Sequence, residues 1–176
     1  MKRHLSFILR AVVATSLALG TAACGKPFDV KTAPGMVALE NQRDFDWRAT
    51  TPEGVVVGVR VVEDEKRGDI PFWTQAVTLQ LRDVSGYALL ESAEVASADG
   101  TKGRLLKFGH DEDGKPYVYW VSIYLAQDRL FLVEAGGPKD LFERARPNIE
   151  WTMKSIHVRC NGFLAPVLSS HTCNRW

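Results

Sequence analysis

The residues best able to do chemistry sit near the end of the chain. His157, Cys160, His171 and Cys173 fall within one short segment, "HVRCNGFLAPVLSSHTC". Two imidazoles and two thiolates make a ligand set for structural zinc. The two cysteines alone can instead close a disulfide. His171 and Cys173 are closely spaced for two ligands of one tetrahedral ion, and Gly162 and Pro166 suit a loop between the pairs. Elsewhere the chemistry is sparse. Asp111-Glu112-Asp113-Gly114 has the acidic start of a calcium loop, but the twelfth position, where a bidentate Glu is needed, is Ser122. The run reads as a polar hairpin tip. Asp44 and Asp46 alternate and would share one face of a strand, which fits a solvated edge. No G-x-S-x-G or H-E-x-x-H occurs, and Gly136-Gly137 lacks the Lys-Ser/Thr pair of a phosphate loop. The expectation is a protein without catalytic residues or cofactor. A hydrolase with an unfamiliar site stays as an alternative and would need buried, paired histidine and carboxylate groups.

The bulk numbers fit an ordinary globular protein. The chain has 176 residues, 45% hydrophobic and 24% charged, which suits one domain with a sizeable core. Lys plus Arg number 22 against 21 Asp plus Glu. Nucleic-acid binding needs a basic surplus on one face, and none is visible, so nucleic acid is not an expected partner.

The start of the chain, "MKRHLSFILRAVVATSLALGTAACGK", has the three-part layout of a secretory signal. Lys2, Arg3 and Arg10 supply the charge, Ala11 to Leu19 is largely apolar, and small residues follow. The apolar run falls short of the roughly 20 residues that span a bilayer. Thr21-Ala22-Ala23-Cys24 resembles the lipobox of bacterial lipoproteins, with Thr21 in place of the usual Leu. That resemblance implies cleavage after residue 23, a diacylglyceryl group on the Cys24 sulfur and acylation of the new amino group. Gly25 in the second mature position implies an outer-membrane lipoprotein facing the periplasm or the cell surface. Loss of residues 1–23 leaves 19 basic and 21 acidic residues, a net charge of −2. With Cys24 taken by lipid, Cys160 and Cys173 form an even pair in an oxidising compartment, which favours a disulfide worth about 3 kcal/mol over the zinc alternative.

The elements that must position these groups follow in order. Residues 24–42, with Pro27, Pro34 and Gly35, read as a lipidated tether. Phe45–Thr50 and Val55–Glu63 read as a hairpin across Thr51-Pro52-Glu53-Gly54. Val55, Val57, Val59 and Val61 give it one wholly apolar face. Asp69–Ser85 reads as a helix with Asp69 as N-cap, Pro71 in the first turn and Gly86 as the stop. Its stripe is Ile70, Trp73, Val77, Leu81 and Val84. Four strands are expected at 87–97, 102–109, 117–125 and 129–135, joined by tight turns. A last helix is expected to start at Pro138 and to kink or restart at Pro147. The domain is drawn at residues 43–158, with a disulfide-closed tail at 159–176.

This order gives an α+β fold, an antiparallel meander with helices on its faces. The stretch from Gly103 to Val158, with its long aromatic strand, its partner strand and a final helix marked by Phe142 and Ser155-Ile156, resembles the PsbP-like superfamily. The resemblance covers roughly residues 31–158. It implies an α/β/α sandwich that docks onto other proteins, and it transfers no catalytic residue. In "YVYWVSIYL" Trp120 and Tyr124 share one strand face. Both faces of this strand are apolar, which implies a sheet covered on both sides with these rings in the core. In the alternative they are the candidate binding face for a protein partner or for a small apolar ligand carried in a pocket beside them. The functional expectation is a non-enzymatic, lipid-anchored envelope protein that docks onto a partner protein.

Overall fold

The computed structural model describes residues 26–40, 44–65 and 67–158. Seven strands form one antiparallel sheet. They are β1 (Val37–Leu39), β2 (Trp47–Thr50), β3 (Val56–Glu63), β4 (Ala88–Ala96), β5 (Lys102–Glu112), β6 (Lys115–Ala126) and β7 (Arg129–Pro138). Their order across the sheet is β1-β2-β3-β7-β6-β5-β4. Two hairpin sets, β1–β3 and β4–β7, therefore join where β3 meets β7, with Val59 opposite Val133. The turns explain the registers. Asp113-Gly114 closes β5 onto β6 with φ of 53° and 76°, and the Gly114 N–H donates to Asp111 Oδ1 at 2.8 Å. The expected polar hairpin tip is thus a two-residue hairpin turn.

Each sheet face carries one helix. α1 (Ile70–Leu79) starts where Asp69 accepts the Phe72 N–H at 2.8 Å. Its stripe of Ile70, Trp73, Val77 and Leu81 packs on Leu106, Phe108, Val121, Ile123 and Leu130. The end of this helix widens into a π-helical turn, Gln80–Val84, before Gly86 stops it at φ 72°. Val84, expected in the stripe, is carried outward to 72% exposure. On the opposite face α2 (Lys139–Lys154) buries Phe142, Ile149 and Met153 against Val57, Val59, Trp120, Phe131 and Val133. Each such side chain contributes about 1.5–3 kcal/mol.

Four expectations need correction. α2 runs unbroken through Pro147. Burial of Phe142 on one side of the proline and Ile149, Thr152 and Met153 on the other outweighs its cost of about 3 kcal/mol. Pro138 is the N-cap, extended at ψ 136°, and Gly136 and Gly137 are the end of β7. A Cβ at Gly137 would lie 3.1 Å from Val55 Cγ2, so glycine lets the strand pass that close. The stretch expected as a tether, 24–42, is part of the fold wherever it is described. Phe28, Val30, Ala33 and Met36 are core residues, and β1 extends the sheet. Their partners lie over 100 residues away, as with Ala33 N–H and Thr152 Oγ1. Asp44 and Asp46 precede β2 instead of lying in it, and Asp46 Oδ2 accepts the Val61 N–H at 2.7 Å.

Candidate functional site

Strand alternation puts Trp120 and Tyr124 on one face, as expected; it is the α2 face, and both lie inside it. Trp120 is 4% and Tyr124 0% exposed. Lys107 Nζ stands 4.7 Å above the Trp120 ring, the Arg146 guanidinium lies 5.5 Å from it, and Phe142 meets it edge-on at 4.9 Å. Neither ring presents a docking face. Beside them a cleft of about 160 Å³ opens between α2 and the outer strands, lined by Val95, Leu105, Ser122, Met153 and Lys154 among others. Small-ligand pockets are usually about 300–1,000 Å³. The cleft is smaller than this and falls short of a carrier pocket.

The other face holds a polar cluster that was not anticipated. Arg60 Nη2 pairs with Glu134 Oε2 at 3.0 Å across β3 and β7, and Tyr119 hydrogen-bonds the same carboxylate. Burial pushes the Glu134 carboxyl up, against the opposing pull of Arg60 and Tyr119. Burial likewise raises the Tyr119 phenol, and the Glu134 charge adds to it. The visible signal was one charge inside each apolar run, "VVVGVRVV" and "LFLVEA". A carboxylate so tied to an arginine and a phenol is a cross-strand brace.

Three exposed large hydrophobics gather at one end of the sheet. Val84 at 72%, Leu90 at 67%, and the exposed Leu89 follow one another where the π-turn runs into β4. β4 is an edge strand, so one side of its backbone has no strand partner among the described residues. The register slips between Leu89 and Glu91, which bulges Leu90. Neighbouring leucines then both reach the surface. The doublet "LL" in an alternating strand was the overlooked signal.

His157 contributes its backbone to a bridge with Asp29, N–H to O at 2.8 Å. Its intended partners Cys160, His171 and Cys173 lie outside the described residues, as does Cys24. His110 stacks on Tyr87 at 4.8 Å and its Nδ1 lies 3.2 Å from Gly86 O. Among the described residues no three histidine, cysteine or acidic side chains group to hold a metal. Among them too, no helix is long and apolar enough to cross a membrane.

No family model matches the chain, and no curated protein matches it. Solved structures do. The PsbP protein of the cyanobacterium Synechocystis sp. PCC 6803 is 13% identical with a TM-score of 0.54, covering 75% of this chain and 86% of that one. LpqN of Mycobacterium tuberculosis, described as involved in cell envelope biogenesis, is 10% identical with a TM-score of 0.60, covering 77% and 86%. The Ran-binding protein Mog1p of Saccharomyces cerevisiae is 13% identical with a TM-score of 0.53, covering 75% and 90%. The chain has the PsbP-like fold, an α+β antiparallel sheet with a helix on each face.

Proposed function

We propose that this chain is a non-enzymatic lipoprotein of the bacterial envelope, held by lipid on Cys24, that docks onto a partner protein through the β4 end of its sheet. The observation that carries the docking is the apolar surface of Val84, Leu89 and Leu90 beside a strand edge that has no strand partner among the described residues. Water around such a surface favours a covering partner, and an edge strand offers backbone donors and acceptors to one. Two proteins of like fold support the reading by what they do, Mog1p in binding Ran and LpqN in envelope biogenesis. The lipobox-like Thr21-Ala22-Ala23-Cys24 supports the anchor and an outer-membrane address.

The test places a photo-crosslinking residue at Leu90 in the full chain in intact cells, with the same residue at Arg144 on the outer side of α2 as control. A protein adduct specific to position 90, identified by mass spectrometry, is the expected result. The same adducts from both positions, or from an unrelated lipoprotein, would refute docking at β4.

A further inference from the structure

The start of the fold leaves almost no slack behind Cys24. Phe28 is buried, and Asp29 is bridged to His157 by backbone bonds of 3.0 and 2.8 Å. Lys31 N–H donates to Ser155 Oγ at 2.9 Å. Only Gly25, Lys26 and Pro27 separate Cys24 from the core residue Phe28. An extended chain advances at most about 3.6 Å per residue, so Cys24 lies within about 15 Å of that core.

We infer that the face built from residues 26–32 and the β1–β2 edge rests directly on the bilayer surface. This rests on the lipid anchor proposed above. Acyl chains on Cys24 are buried in the membrane, and so short a link brings the surface nearest Lys26 against the headgroups. That surface has the matching form. Two open hollows of about 580 and 400 Å³ meet there, both lined by Lys26, Ala38 and Trp47. Val37 stands 62% exposed on β1 beside them. An indole with apolar neighbours is suited to the headgroup level. Lys26 and Lys31 stand there together with Asp29, Glu40 and Asp46, so the charge is mixed and the covalent link, not electrostatic attraction, holds the face down. β4 is the opposite edge of the sheet. The end of β4 nears this face, because the Ala98 N–H donates to Ile156 O at 2.8 Å beside the Asp29–His157 bridge. Leu90 lies eight residues back along the strand, about 26 Å from Ala98, and stays open to a partner.

The experiment uses the lipidated full chain in phosphatidylethanolamine–phosphatidylglycerol vesicles, with hydroxyl-radical footprinting read by mass spectrometry. Oxidation of Val37 and Trp47 should fall severalfold relative to Cys24→Ser, with Leu90 unchanged. A flexible Gly/Ser spacer of about 20 residues after Gly25, with a mean reach of about 25 Å, should restore it. Val37 and Trp47 oxidised at the Cys24→Ser rate on a chain whose intact mass carries lipid would overturn the orientation and leave the anchor standing. An intact mass without lipid would overturn the anchor, and this inference with it.

Discussion

Val158 donates its backbone N–H to Asp99 Oδ2 at 2.7 Å, across 59 residues of sequence. The other oxygen of the same carboxylate accepts the Thr101 N–H at 3.3 Å and the Thr101 hydroxyl at 2.9 Å, and the Ser97 hydroxyl as well. One side chain thus ties the β4–β5 turn to the strand-like segment that follows α2. Hydrogen bonds to a charged group are each worth about 1.5–3 kcal/mol. Asp99→Ala should lower stability by about 3 kcal/mol in urea unfolding, and Asp99→Asn by less. A loss below about 1 kcal/mol would show that the turn holds without it.

Arg60 and Glu134 make the second brace, and its loss should depend on pH. The Glu134 carboxyl is raised by burial and held back by Arg60 and Tyr119. Arg60→Ala removes part of that support and leaves a nearly buried carboxylate. Breaking a buried pair costs about 3–5 kcal/mol, but Arg60 is 43% exposed, so about 1–3 kcal/mol is expected at neutral pH. A carboxyl whose folded pKa lies above its unfolded value favours the fold when protonated. That contribution is complete below the ordinary Glu range and lost as pH rises through the raised pKa. The Arg60→Ala penalty, measured by denaturant unfolding, should therefore shrink as pH falls toward that range. A penalty independent of pH would exclude a charge origin.

Tyr124 should govern part of the alkaline limit of the fold. Its phenol is pushed up to about 12, by burial first, with the Ser122 hydrogen bond opposing and the Asp99 charge adding. The unfolded phenol titrates near 10. Stability from this group is complete below about pH 10 and is lost as pH climbs to about 12, at most about 2–3 kcal/mol. Tyr124→Phe should remove one late step from the phenolate absorbance titration of the four tyrosines and soften the alkaline fall in stability. Loss of amplitude from the early, ordinary phenol step instead would place Tyr124 among the readily ionised phenols.

Local signals were legible and distant ones were not. Asp69 and Gly86 marked the ends of the first helical segment because caps act within one turn. Val55, Val57 and Val59 declared their face through strand alternation alone. Phe28, Val30 and Met36 looked like tether because their partners, such as Thr152 and Ile156, come over 100 residues later. The meeting of β3 with β7 joins two separate hairpin sets, and no turn residue encodes it. The two apolar faces of β6 signalled a covered sheet, and Trp120 and Tyr124 are core; what closes over the indole, Lys107, Arg146 and Phe142, comes from other elements and was not legible. The exposed site was missed because alternation hides a bulge, and Leu90 is one.

Leu90 offers the sharpest separation of function from folding. Its side chain is 67% exposed, and its described close neighbour is the backbone position of Gly109. Leu90→Asp removes an apolar contact at the proposed docking edge and adds a charge that a buried interface would have to desolvate. Exposed substitutions usually change stability by within about 0.5 kcal/mol, so the thermal midpoint should barely move. Co-purification of the partner from solubilised membranes should be lost, because a charge left unpaired in an interface commonly costs about 2–5 kcal/mol. Lys102→Gln, at the other end of the neighbouring strand, also lowers the net charge by one and serves as the matched change away from the leucines. Loss of the partner in both variants would trace the effect to net charge, and retention in Leu90→Asp would remove β4 as the docking edge.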